Sequence, residues 1–195
     1  MTREQLEHVI RAAAAVSDQD HLVVIGSQSV LASAPDAPAV MLRSEEADLW
    51  PRDRPELADD IDGAIGELST FHRTFGYHAH GVHPGVATLP PGWPDRLVPL
   101  NTPGTRGATG WCLHPADAVL SKLAAGRKKD LAYARAALAA VVVHPADLRE
   151  LAPTLPLDAP RLQTLLHRLD RLLPPKTPEA PTTLNLPGPS TTPRS

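Results

Sequence analysis

"LVVIGSQSVLAS", residues 22–33, is the stretch on which the fold turns. An apolar run from Leu22 to Ile25 stops at Gly26-Ser27 and continues into helix-compatible residues. Strand, glycine turn and helix start form a common corner. They also form an anion-binding arrangement, because free backbone N–H groups point at the incoming charge. A second stretch, "RSEEADLWP" at residues 43–51, bears on which reading applies. Alternate residues of a strand share a face, so Ser44, Glu46 and Asp48 fall on one side and Arg43, Glu45 and Ala47 on the other. Two carboxylates side by side repel each other. A divalent cation relieves that repulsion, since Mg²⁺ takes oxygen ligands and is often held by one or two carboxylates plus substrate phosphates. Solvated acids on an edge strand are the plain alternative.

The chain has 195 residues, enough for one well-packed domain with an appendage. No apolar run approaches the roughly 20 residues of a membrane span, and "MTREQLEHVI" lacks the basic-then-apolar order of a signal peptide. The single cysteine, Cys112, excludes an intramolecular disulfide and a multi-cysteine zinc site. It falls in an apolar run, as a core residue would. A cytoplasmic protein without membrane attachment is the expectation. The net charge of −3 does not describe a polycation, so any nucleic-acid contact needs a local basic patch.

Thr2 and Gln5 make a capping-box pattern ahead of Leu6, Val9, Ile10 and Ala13, which predicts a helix over 3–16. A strand over 21–25, a short helix and a second strand over 40–49 follow. Leu57, Ile61, Ile65 and Leu68 predict a helix over 54–68, with Asp59, Asp60 and Asp62 on its solvated face. Short strand-like runs, "GYHAHGV", "DRLVPL" and "ATGWCL", lead into four helical segments from "PADAVLSKLAAG" to "APRLQTLLHRLDRLL". That order predicts an α+β fold. We divide it into a core over 1–115, a helical C-terminal part over 116–173 and a Pro-rich, flexible tail over 174–195.

Glu46 and Asp48 follow Gly26 by about 20 residues. "IGSQSV" together with "RSEEADLWP" resembles the glycine motif and acid-x-acid strand of the polymerase-β-like nucleotidyltransferases. The likeness is closest to the AbiEii and MenT kind of toxin nucleotidyltransferase, and it spans roughly residues 3–140, including "HPADAVLSKLAAGRKKDLAYA". It implies a mixed β-sheet with flanking helices, and NMP transfer from an NTP to an acceptor hydroxyl. The acceptor it implies is the 3′ end of tRNA, with a cognate antitoxin as partner. By the same resemblance Lys122 matches a triphosphate-contacting lysine, and Asp130 in "RKKD" matches a later catalytic acid.

The chemistry of each residue type agrees with this. Gly26 permits close backbone approach, and the Ser27 hydroxyl and N–H suit a β- or γ-phosphate. Glu46 and Asp48 would hold Mg²⁺, and two ions about 3.5–4 Å apart would serve an in-line displacement. Lys122 would offset charge on the pyrophosphate leaving group. Arg127, with Lys128 and Lys129, is either a nucleotide contact or a solvated helix-ending cluster. Ser44 is a candidate regulatory position, because a phosphate there adds negative charge beside two acids.

The chain departs from the family pattern in three ways. Glu46 stands where Asp is usual, Gly26 is a single glycine where the toxins carry two, and residues 71–94 contain no acid. A third acid must come from Asp130 or Asp117, or the site has two. His78, His80 and His83 suggest zinc, but no acid or cysteine lies near them in sequence, so packing or surface roles are expected. Trp50 and Trp93, both beside prolines, are expected to pack. Transfer to a protein or small molecule, or nucleotide binding without turnover, remain as alternatives.

Overall fold

Thr2 accepts the backbone N–H of Gln5, and the Gln5 side chain returns the bond, so the expected capping box starts α1 (Arg3–Ser17). Leu6, Val9, Ile10 and Ala13 lie on its buried face. Each fully buried Leu, Ile or Val contributes about 1.5–3 kcal/mol relative to an exposed one. The computed structural model describes residues 1–173, and the predicted tail over 174–195 lies outside them.

Five strands form one mixed sheet in the order β3-β2-β1-β5-β4. They are β1 (His21–Ile25), β2 (Glu46–Pro51), β3 (His78–Gly81), β4 (Val98–Leu100) and β5 (Thr109–Cys112). β1 runs antiparallel to β2 and parallel to β5, β2 and β3 are parallel, and β4 returns antiparallel to β5. Helices α2 (Ala58–Ile65) and α3 (Thr70–Phe75) connect β2 to β3. Helices α4 (Pro115–Ala125), α5 (Lys128–Ala139), α6 (Pro145–Leu151) and α7 (Ala159–Asp170) follow the sheet. This is the α+β architecture expected from the element order. Among the described residues no helix is long and apolar enough to cross a membrane.

Alternation along β2 sorts its side chains between the two faces of the sheet. Ala47 and Leu49 join the main core with Leu22, Val24 and α1. Trp50 packs with Val23, Ile25, Leu113 and Ala118 on the other face, where it meets Trp93 edge-on at 6.4 Å. Both tryptophans therefore pack, and Cys112 is fully buried with its thiol pushed up to about 12 by desolvation.

Several boundaries differ from expectation. β2 starts at Glu46 and runs through Pro51, because turns closed by Met41 N–H to Pro38 and Leu42 N–H to Ala39 occupy the preceding residues. The segment after Ser27 is a single 3₁₀ stretch, Gln28–Ala32, too short for a helix N-terminus to act as an anion site. α2 stops at Ile65, and Leu68 is exposed at φ +61 instead of continuing the apolar face. α5 ends at Ala139, so the valines at 141–143 lie outside the helix, with Val141 at φ +55.

Asp117, in the first turn of α4, is fully buried and held by Arg96, whose Nε and Nη2 donate at 3.0 and 2.7 Å. The pair ties the segment before β4 to α4. Removing one partner of such a pair strands a buried charge and costs about 3–5 kcal/mol. Arg96→Ala should lower unfolding stability by that order in urea titration. A loss below about 1 kcal/mol, the range of exposed pairs, would contradict the reading.

Candidate active site

The sheet register assembles one side of the site. Asp48 pairs with Ile25 on β1 and with His80 on β3, so the Gly26-Ser27 turn, Asp48 and His80 lie in one row. Gly26 sits at φ +72, and a Cβ there would overlap Asp48 Oδ2. The turn is thus bare where the carboxylate comes closest. On its other side Asp48 Oδ1 accepts from His80 Nδ1 at 2.8 Å. Burial alone would lower the His80 pKa, but the hydrogen bond and charge of Asp48, with Glu46 and Asp62, raise it.

Glu46, two residues earlier, lines the same cleft, which has a volume of about 920 Å³. Ser44 precedes the strand but still reaches the cleft wall, with its Oγ accepting the Glu46 N–H at 3.3 Å. Its carbonyl is held by Gln28 Nε2 at 3.1 Å and by the Met1 ammonium at 3.0 Å, so these bonds take the place of a ladder.

Helices α4 and α5 supply the opposite wall. Gly126 ends α4 in a left-handed cap, and Arg127 is the N-cap of α5. Asp130, almost fully buried, accepts Arg127 Nε at 2.6 Å and Nη2 at 3.2 Å, and lies 3.9 Å from Lys122 Nζ. The Lys122 ammonium also sits 4.7 Å over the Tyr133 ring, an attractive cation–π placement. Burial pulls the Lys122 pKa below its usual value despite the opposing charge of Asp130. The hydrogen bond to Asp130 raises that of Arg127. Tyr133, whose hydroxyl donates to the Ser27 carbonyl at 3.4 Å, ties this wall to the glycine turn.

Gly26, Ser27, Ser44, Glu46, Asp48, Lys122, Arg127 and Asp130 therefore share one cleft. Asp117 lies elsewhere, committed to Arg96. Asp130 faces cations from its own corner, and no group of three or more His, Cys, Asp or Glu is placed to hold a metal among the described residues. His83 meets Asp59 at 3.2 Å, and His78 is buried with Nδ1 unpartnered.

Spacing along the chain separates His80 from any acid, yet strand pairing puts it on Asp48. The parallel β2–β3 pairing behind that contact leaves no local trace in the sequence. Arg43 and Arg161 also line the cleft. Arg43 stands within the motif stretch, but strand alternation puts it on the face opposite Glu46 and Asp48; β2 begins only at Glu46, so that alternation does not govern it. Arg161 lies on α7, far along the chain from the motif residues.

A family model described as "Nucleotidyltransferase of unknown function (DUF6036)" matches residues 4–155. The chain belongs to this family. No curated protein and no solved structure matches the chain. The span matched by the DUF6036 model contains every site residue named above except Arg161.

Gly26→Ala tests the packing of Asp48. A left-handed alanine costs about 1–2 kcal/mol, and its methyl would also turn the carboxylate away from His80. The expected outcome is that loss in urea titration, together with a shift of the His80 imidazole signals in NMR. Unchanged imidazole signals would contradict the packing.

Proposed function

We propose that this DUF6036 member is a Mg²⁺-dependent nucleotidyltransferase that moves an NMP from an NTP to an acceptor hydroxyl and releases pyrophosphate. The observation that carries the reading is the opposition of charge across one cleft. Glu46 and Asp48 line it from the sheet, while Lys122 and Arg127 line it from the helices, beside the Gly26-Ser27 turn.

The residues fit a magnesium ion. Glu46 and Asp48 offer hard oxygen donors on one strand face, and the bare Gly26 gives Asp48 room. Two carboxylates with substrate phosphates and water are a usual magnesium environment. When bound, the metal would supply Lewis-acid neutralisation at the transferring phosphoryl group, one ion or two. Ser27 would bind a terminal phosphate through its hydroxyl and N–H, and Lys122 and Arg127 would take the charge of the departing pyrophosphate. Asp130 serves best as the anchor of those two cations, which leaves two acids for the metal.

Five Lys and Arg against three Asp and Glu line the cleft, although the whole chain is net negative. That local surplus supports a polyanionic acceptor. With the resemblance to AbiEii and MenT toxins, the acceptor we propose is the 3′ end of tRNA, and the biological role that of a toxin restrained by an antitoxin protein. The substitution of Glu46 for the usual Asp favours one rival, a nucleotide-binding module without turnover.

Incubation with each labelled NTP, Mg²⁺ and total RNA should transfer label to RNA. Asp48→Ala should reduce transfer by at least about 100-fold. Ser27→Ala should reduce it about tenfold, the worth of one hydrogen bond to a charged group, with stability nearly unchanged. NTP binding without transfer to RNA, protein or small molecules would favour the rival.

Ser44 offers a means of control, since a phosphate on its Oγ would stand beside Glu46 and compete for the metal. Ser44→Asp should abolish most transfer, and full activity in that variant would remove the idea.

A further inference from the structure

Helix α7 lies beyond residues 4–155, the span matched by the family model, yet it reaches into the site corner. Leu165 and Leu169 bury its apolar face in the main core. That anchoring directs Arg168 at the end of α4, where Nη1 donates to the Leu123 carbonyl at 2.7 Å and approaches the Ala124 carbonyl at 3.5 Å. The last carbonyls of a helix have no intrahelical partner, and a guanidinium there satisfies both the bonds and the negative end of the dipole.

Gly126 makes the seat. It stands at φ +70, and a Cβ on it would overlap Cζ, Nη1 and Nη2 of Arg168. The guanidinium therefore packs against bare backbone at the α4–α5 turn. Lys122 and Arg127 flank this point. The Gly126 N–H donates to the Lys122 carbonyl at 2.8 Å, and Arg127 follows directly as the cap that Asp130 holds. Fixing this turn fixes both cations relative to the cleft.

We infer that Arg168 is a positioning residue of the nucleotide site, acting through Gly126 and the end of α4 to hold Lys122 and Arg127 toward the triphosphate. The inference rests on the nucleotidyltransferase reading for what the corner binds. A loose corner would bind triphosphate weakly, because ordering it would then be drawn from the binding free energy.

The experiment compares the full chain with Arg168→Met, Arg168→Lys and Gly126→Ala, using two readouts. Hydrogen exchange at the amides of Gly126, Asp130 and Leu131 reports the corner, and equilibrium titration with ATP and GTP in Mg²⁺ reports binding without turnover. Arg168→Met and Gly126→Ala should each speed exchange there and weaken triphosphate binding by about tenfold, under conditions where thermal melts show both folded. Arg168→Lys, which keeps charge and donor at the helix end, should recover most of the affinity.

Unchanged exchange in Arg168→Met, or faster exchange with wild-type affinity, would overturn the assignment. A variant that only melts earlier, with both readouts unchanged at lower temperature, would overturn it too. A wild-type chain that binds no NTP would overturn the nucleotidyltransferase reading and this site role together. Exchange would still show whether the brace itself exists, so the two failures are distinguishable.

Discussion

The position of one carboxylate, Asp48, depends on contacts from two neighbouring strands at once. The end of β1 offers Gly26, whose missing side chain leaves room for Oδ2, and β3 offers His80, whose ring nitrogen takes Oδ1. A larger residue at 26, or a one-residue slip of β3, would break this geometry, because a slip sends every side chain to the opposite face. The main core enforces the register. Ala47 and Leu49 are buried with α1 on the far side of β2, so Glu46 and Asp48 have only the cleft to face.

The cationic wall follows a different logic. Its charges stand on a helix–turn–helix corner, where Asp130 draws in Arg127 and Lys122 and Tyr133 supplies a ring beneath the ammonium. A buried acid in such a place is satisfied by its own cations. In the proposed function its role is to orient those cations. The glycine turn and this corner meet through the Tyr133 hydroxyl and the Ser27 carbonyl, so the two walls are mechanically joined.

Much of this was legible in the sequence for physical reasons. The capping box of Thr2 and Gln5, the apolar run from Leu22 to Ile25 and the helical spacing around Lys122 are local signals, and local hydrogen bonding or burial realises them. Glu46 and Asp48 share a face by strand alternation alone. Non-local pairings were not legible. His80 reaches Asp48 only because β2 and β3 run parallel, and Arg168 finds Gly126 only because α7 folds back on α4. β2 starts at Glu46 and not at the expected residue 40 for a similar reason. The Leu42 and Ser44 carbonyls bond to Gln28 and to the chain's first residue, and a strand neighbour, His78, is met only from the Glu45 carbonyl onward.

The most direct measurement is a crystal structure of the chain with Mg²⁺ and an NTP that cannot be cleaved between its α- and β-phosphates. The triphosphate should lie along the Gly26-Ser27 turn, with Lys122 and Arg127 on its terminal phosphates. A cation should be bound by Glu46 and Asp48. A triphosphate bound elsewhere, or a cation held by the histidines while Glu46 and Asp48 stay free, would contradict the proposed function.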